Sequence, residues 1–92
     1  MMLEVKRNEG ARRYELVSDS GELIGLIDFR IMGSVIDLFH AETNPAHGGK
    51  GYGSRMVEGA LADIRSQGLT VKASCPFVSD YLEKHPEYAD LL

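Results

Sequence analysis

The sequence predicts an α+β fold: a mixed, mainly antiparallel five-stranded sheet, its fourth and fifth strands parallel, with two main helices. Three observations carry this. Apolar and polar residues alternate in short runs from Leu3 to Thr43, the signature of half-buried strands. After a glycine-rich stretch the apolar spacing lengthens to that of a helix, and a further strand follows close behind. A strand, helix and strand joined so tightly form a right-handed crossover, which sets the two strands parallel.

Each element has its own signal. Leu3-Glu4-Val5-Lys6 and Tyr14-Glu15-Leu16-Val17 alternate, and Asp19-Ser20-Gly21-Glu22 has the chemistry of a hairpin turn. Leu23 to Ile31 is a longer, more buried strand; the Met32-Gly33-Ser34 break suits a second tight turn before Val35 to Thr43. Met56, Val57, Ala60, Leu61 and Ile64 fall on one face of a helix spanning about Ser54 to Gln67, with Gly68 at its C-terminal end. Leu69, Val71 and Ala73 alternate with Thr70, Lys72 and Ser74 in a fifth strand ending at Cys75. Pro76 suits the first position of a second helix, whose apolar face is Phe77, Val78, Tyr81 and Leu82, and His85-Pro86 ends it.

The chain of 92 residues, 43% hydrophobic, is expected to form a single domain over 1–92. Its net charge of −4 and scattered basic residues exclude the electrostatic footprint of a nucleic-acid binder. One cysteine precludes a disulfide within the chain, and MMLEVKRNEG lacks the apolar core of a signal peptide, so the expected location is cytoplasmic. No apolar run approaches the ~20 residues of a membrane span. No metal-ligand cluster surrounds His47 or His85.

The stretch NPAHGGKGYGS, Asn44 to Ser54, holds four of the ten glycines. A strand, a glycine-rich turn and a helix can cradle phosphate, because backbone N–H groups point inward and the helix start adds partial positive charge. A plain tight connection is the simpler alternative, and the four glycines beside Lys50 and Ser54 favour the cradle. The nucleotide-triphosphate pattern fails, since Lys50 is followed by Gly51. The dinucleotide pattern fails on spacing.

The pattern of Gln or Arg, two residues, Gly, one residue, then Gly or Ala is the pyrophosphate-binding turn of the GNAT acetyltransferases, and Gly51 and Gly53 match its small positions. The whole chain resembles a minimal GNAT of the small, YjdJ-like, N-acetyltransferase domain-containing group. His40, Gly49 to Ser54, Cys75-Pro76-Phe77 and the run Tyr81 to Tyr88 carry the resemblance. Gly48 stands where the wider superfamily has Arg or Gln, which removes one side-chain contact and leaves the backbone cradle.

The resemblance implies acetyl-coenzyme A as cosubstrate and an amine as acceptor. The pyrophosphate would lie on the backbone of Gly48, Gly49, Lys50, Gly51, Tyr52, Gly53 and Ser54, the Tyr52 side chain packing at the base of the helix. The pantetheine arm would run between two splayed parallel strands, with Pro76 on the cofactor side and Tyr81 in core or cofactor-side packing. A backbone N–H near Thr43 and Asn44 is expected to polarise the thioester carbonyl.

Three side chains are candidates for the chemistry. Cys75 sits beside a helix N-terminus, which favours thiolate; it could be a nucleophile, an acid for departing coenzyme A, or a small buried hydrophobe. His40 on the neighbouring strand could form a Cys–His pair with it, or be an interior histidine satisfied by the core. Glu42 shares a strand face with His40 and could receive the amine's proton, or be an ordinary solvated carboxylate. Direct attack of the amine and a Cys75/His40-assisted route are both open, and a non-catalytic acyl-CoA binding or sensing module is the alternative function. The early helices that usually wall the acceptor site are missing, which implies an open site suited to a small amine, a protein lysine or a chain terminus. The acidic balance favours a cationic acceptor.

Overall fold

The computed structural model describes residues 2–47 and 51–92. Strand β1 (Leu3–Asn8) pairs antiparallel with β2 (Arg13–Ser18), β2 with β3 (Leu23–Met32), and β3 with β4 (Val35–Thr43). Helix α1 (Tyr52–Ser66) follows, then β5 (Thr70–Ala73), helix α2 (Pro76–Lys84) and a 3-10 turn, Pro86–Leu91. The sheet order is β1-β2-β3-β4-β5, and β5 is parallel to β4. The mixed sheet expected from the sequence is therefore present.

Boundaries shift where side chains pack in ways the alternation does not show. The first hairpin runs on to Asn8 and Arg13. Arg7 extends it by lying over the rings of Tyr14 and Phe29, with Cζ 5.9 and 5.2 Å from their centroids. Helix α1 begins at Tyr52 rather than Ser54, because Gly51 takes φ +73° as the residue capping its start. A residue with a Cβ adopts that conformation only at a cost.

Buried side chains collect on one face of the sheet. Tyr14, Leu16, Ile27, Phe29, Ile36, Leu38 and Val71 meet Met56, Val57, Leu61 and Ile64 of α1 and Val78 and Leu82 of α2 in one cluster. Helix α1 is tied down at its far end by Tyr14, whose hydroxyl donates to Asp63 Oδ2 at 2.6 Å, and by Arg7 Nη1 at 3.3 Å from the same oxygen. The opposite face of the sheet carries Glu15, Asp28, Arg30, Asp37 and Lys72. No helix among the described residues is long and apolar enough to cross a membrane.

Two bulges break the regular alternation. One places Ile24 and Gly25 of β3 side by side against β2, where the register passes from Leu16↔Gly25 to Val17↔Leu23. The other makes Phe39 an extra residue in β4, between Phe29↔Leu38 and Asp28↔His40. Such a residue is left out of the ladder and increases the local twist.

Candidate functional site

The parallel pair parts company at one point. Strands β4 and β5 are in register from Val35↔Thr70 to Leu38↔Ala73, and the last bond is Cys75 N–H to the Leu38 carbonyl at 3.0 Å. Beyond it β4 runs on to Thr43, while the other chain segment turns into α2 at Pro76. From Phe39 onward, β4 has β3 on one side and, among the described residues, no strand on the other. The Phe39 bulge sits at the mouth of this gap.

Both helices start at the same end, since each follows the carboxyl end of a parallel strand. Their starts touch: a Cβ built on Gly53 would lie 2.7 Å from Phe77 Cζ. No side chain caps α1 or α2, and neither has an acidic residue in its first turn. A Cβ on Gly51 would meet nothing within 4 Å among the described residues. An uncapped helix start without carboxylates, reached through a left-handed glycine, suits an anion. Gly48, Gly49 and Lys50 lie outside the described residues. Tyr52 packs partly against the core, and Ser54 is exposed.

The bulge decides where His40 points. Strict alternation would put it on the face of Ile36 and Leu38; the extra residue turns it to the other face, opposite Asp28. There its side chain is 51% exposed, with Nε2 3.2 Å from Glu42 Oε2. Cys75 instead is only 6% exposed and belongs to the core cluster on the helix side. Among the described residues no hydrogen bond joins the Cys75 thiol to His40, so the expected Cys–His pair does not form. The structure brings His40 and Glu42 together and leaves Cys75 across the sheet from them.

Asn44 also differs from expectation. Its N–H donates to the Ile24 carbonyl at 2.7 Å, so it is not free to polarise a ligand. Its side-chain Oδ1 accepts from Ala46 N–H at 3.0 Å and closes the turn into Pro45–His47. Thr43 and Asn44 line a shallow cavity of ≈ 240 Å³ with Glu42 and Gly25.

Tyr81 is buried, its ring stacked 3.9 Å from that of His85, and His85 Nδ1 lies 2.7 Å from the Tyr81 carbonyl. Burial, then the nearby Tyr88, pushes the Tyr81 phenol up to about 12. It lines a groove of ≈ 890 Å³ along α1 with Gly51, Tyr52, Ser54, Arg55 and His85. Pro76 is exposed at the first turn of α2. Among the described residues no group of three or more His, Cys, Asp or Glu could hold a metal.

A family model described as GCN5-related N-acetyl-transferase matches residues 13–91, most of the chain. The chain belongs to this family. GCN5-related N-acetyltransferases use acetyl-coenzyme A as cosubstrate, and acetyltransferase activity follows from membership. The fold is similar to the NMR structure of a GCN5-like protein of Staphylococcus aureus described as a candidate N-acetyltransferase. That match has a TM-score of 0.73 and 27% identity over 97% of this chain and 86% of the other. The ribosomal-protein-S18-alanine N-acetyltransferase of Escherichia coli shares the fold, with a TM-score of 0.64 at 15% identity over 79% of this chain. Nourseothricin acetyltransferase does so with a TM-score of 0.57 at 20% identity over 87% of this chain. The shorter GNAT chain spans 51% and 52% of those two enzymes.

Two features of this part of the sheet are not legible in the sequence pattern. The Phe39 bulge is set by how many β4 residues oppose β3, which no local pattern records. The second is Asp37, a carboxylate inside a run that reads as an ordinary strand. Its position after Ile36 on the polar face was the available signal, without a reason to expect burial.

Proposed function

We propose that the chain is an acetyl-coenzyme-A-dependent N-acetyltransferase that acts by direct attack of an amine in the gap where β5 leaves β4. The parting of the parallel strands beside the Phe39 bulge carries this reading. Bound there, acetyl-coenzyme A supplies an activated acetyl thioester.

The residues divide the work. The uncapped start of α1, with the loop from Gly48 to Ser54, holds the pyrophosphate on backbone N–H groups. An amide near the Phe39 bulge, on the edge of β4 that β5 leaves uncovered, would orient the acetyl carbonyl and stabilise the charge that develops on its oxygen. This takes over the role expected of Asn44. The acceptor amine arrives from the uncovered sheet face, where the His40 and Glu42 pair accepts its proton. Cys75, at the start of α2 beside the gap, supplies a proton from Sγ to the departing thiolate. Pro76 and Tyr81 shape the cofactor side. An open face suits a small amine, a protein lysine or a chain terminus; the one sheet and one core cluster of the described residues support a single-domain enzyme, for which a cytoplasmic location is proposed.

Steady-state acetyl transfer to a panel of primary amines, with acetyl-coenzyme A saturating, tests the proposal. Turnover that falls in His40→Ala and Glu42→Gln supports it. Binding of acetyl-coenzyme A with no transfer to any amine would instead favour a non-catalytic acyl-CoA module.

A further inference from the structure

Asp37 is the one buried carboxylate of the sheet among the described residues, at 0% exposure, and the chemistry above makes no use of it. Its partners come from two places. From β3, Arg30 Nε donates to Oδ2 at 3.1 Å. Beyond β5, Ser74 donates its backbone N–H to Oδ1 at 3.2 Å and its hydroxyl to Oδ2 at 3.0 Å. Arg30 also reaches the bulge, its Cζ 5.0 Å from the Phe39 ring centroid. One carboxylate therefore links β4, two residues before its bulge, to the residue that follows β5.

The Ser74 N–H explains how this shapes the gap. Cys75 N–H bonds to Leu38, so in a regular parallel strand the alternate amide of Ser74 would face away from β4. Asp37 draws it over the sheet face instead. The chain turns at Ser74, and Pro76 opens α2 two residues later.

We infer that Asp37 is a positioning residue: its contacts with Ser74 and Arg30 fix where β5 leaves β4, and hence the width of the cleft that takes the pantetheine arm of coenzyme A. The inference rests on the reading of that gap as the acetyl-coenzyme A site. Asp37 touches neither cosubstrate nor acceptor.

The test uses Asp37→Asn, which keeps the shape but replaces one acceptor oxygen by an NH2 donor and so cannot accept from Arg30, the Ser74 hydroxyl and the Ser74 N–H together, with Ser74→Ala and Ser74→Thr beside it. In the full-length protein, hydrogen exchange at the Ser74 and Cys75 amides reads the strand junction without ligand. Both amides are expected to exchange about tenfold faster in Asp37→Asn, the size of a lost charge-assisted bond. Calorimetry with coenzyme A should show a Kd about tenfold higher in Asp37→Asn. A smaller rise is expected in Ser74→Ala, and near wild-type affinity in Ser74→Thr, which keeps the hydroxyl. If Asp37→Asn does not fold, Ser74→Ala against Ser74→Thr decides. Unchanged exchange and unchanged Kd in a folded variant would overturn the inference. Wild-type protein that shows the amide protection but does not bind coenzyme A would remove the cleft assignment, and the cleft part of this inference with it, while leaving Asp37 as the fastener of the strand junction.

Discussion

The ring of Phe77 occupies the space a side chain on Gly53 would need, with Cζ 2.7 Å from the Cβ position. Gly53 is thus small so that the start of α2 can lie against α1, whereas Gly51 is a glycine because its φ is +73° with open space around it. The two glycines of one motif answer different demands. Gly51→Ala should cost about 1 kcal/mol whatever stands at position 77. Gly53→Ala should cost a similar amount only while Phe77 is present, because its half-exposed ring can shift. Urea unfolding of both variants in wild-type and Phe77→Ala backgrounds checks this, and equal coupling of both glycines to Phe77 would contradict it.

Tyr14 fastens the end of α1 to the sheet through Asp63. Burial, with the Asp63 carboxylate next, raises its phenol above the usual tyrosine range. A raised pKa in the folded protein contributes stability that is complete below the unfolded value of ~10 and is lost as pH rises through the folded value. Tyr14→Phe is expected to lower stability by about 1.5 kcal/mol at neutral pH. It should also flatten the fall in melting temperature above pH ~10, since the titrating group is gone. An unchanged alkaline profile in that variant would contradict the assignment.

Asp37 gives the opposite limb. Burial alone would raise its carboxyl, but the Ser74 hydroxyl, Arg30 and the Ser74 N–H outweigh it and hold it below the usual aspartate range. A depressed pKa contributes stability that is present above the unfolded value of ~3.9 and is lost as pH falls through the folded value. Melting temperature measured from pH 6 down to pH 2 should therefore fall less steeply in Asp37→Asn than in wild type. Parallel curves would remove Asp37 from the acid response.

Much of this was legible in the sequence, and the exceptions share a cause. The bounds Val35 to Thr43, the start of α2 at Pro76 and the buried face of α1 are written in local spacing, so short-range patterns recover them. The side on which His40 lies is not local. Counting by twos from Ile36 and Leu38 places it inward, near Cys75; one extra residue against β3 reverses it. The same reversal keeps His40 and Glu42 together, because both lie beyond the bulge. Of the two amides expected near the end of β4, that of Asn44 is taken for a related reason: its partner is the carbonyl of Ile24, twenty residues away in a strand whose own bulge sets the register.

The His40 and Glu42 pair and Cys75 make separable predictions. If the pair is the proposed proton acceptor, His40→Ala or Glu42→Gln should lower kcat about a hundredfold, the usual worth of a general base, with coenzyme A affinity unchanged. Under the proposed direct attack, Cys75→Ala should slow the step in which the thiolate departs without abolishing transfer. Rates at saturating amine, compared with binding of coenzyme A to each variant, separate the roles. Full activity in Cys75→Ala would remove its role as the acid.

The gap between β4 and β5 and the start of α1 form the proposed acetyl-coenzyme A site. Calorimetric titration of the purified protein with acetyl-coenzyme A, with ATP and NADH as controls, tests it most directly. The account predicts saturable binding of acetyl-coenzyme A, weakened in Gly51→Val, and none of the controls. Absence of acetyl-coenzyme A binding by folded protein would contradict it and return the glycine stretch to a tight connection between strand and helix.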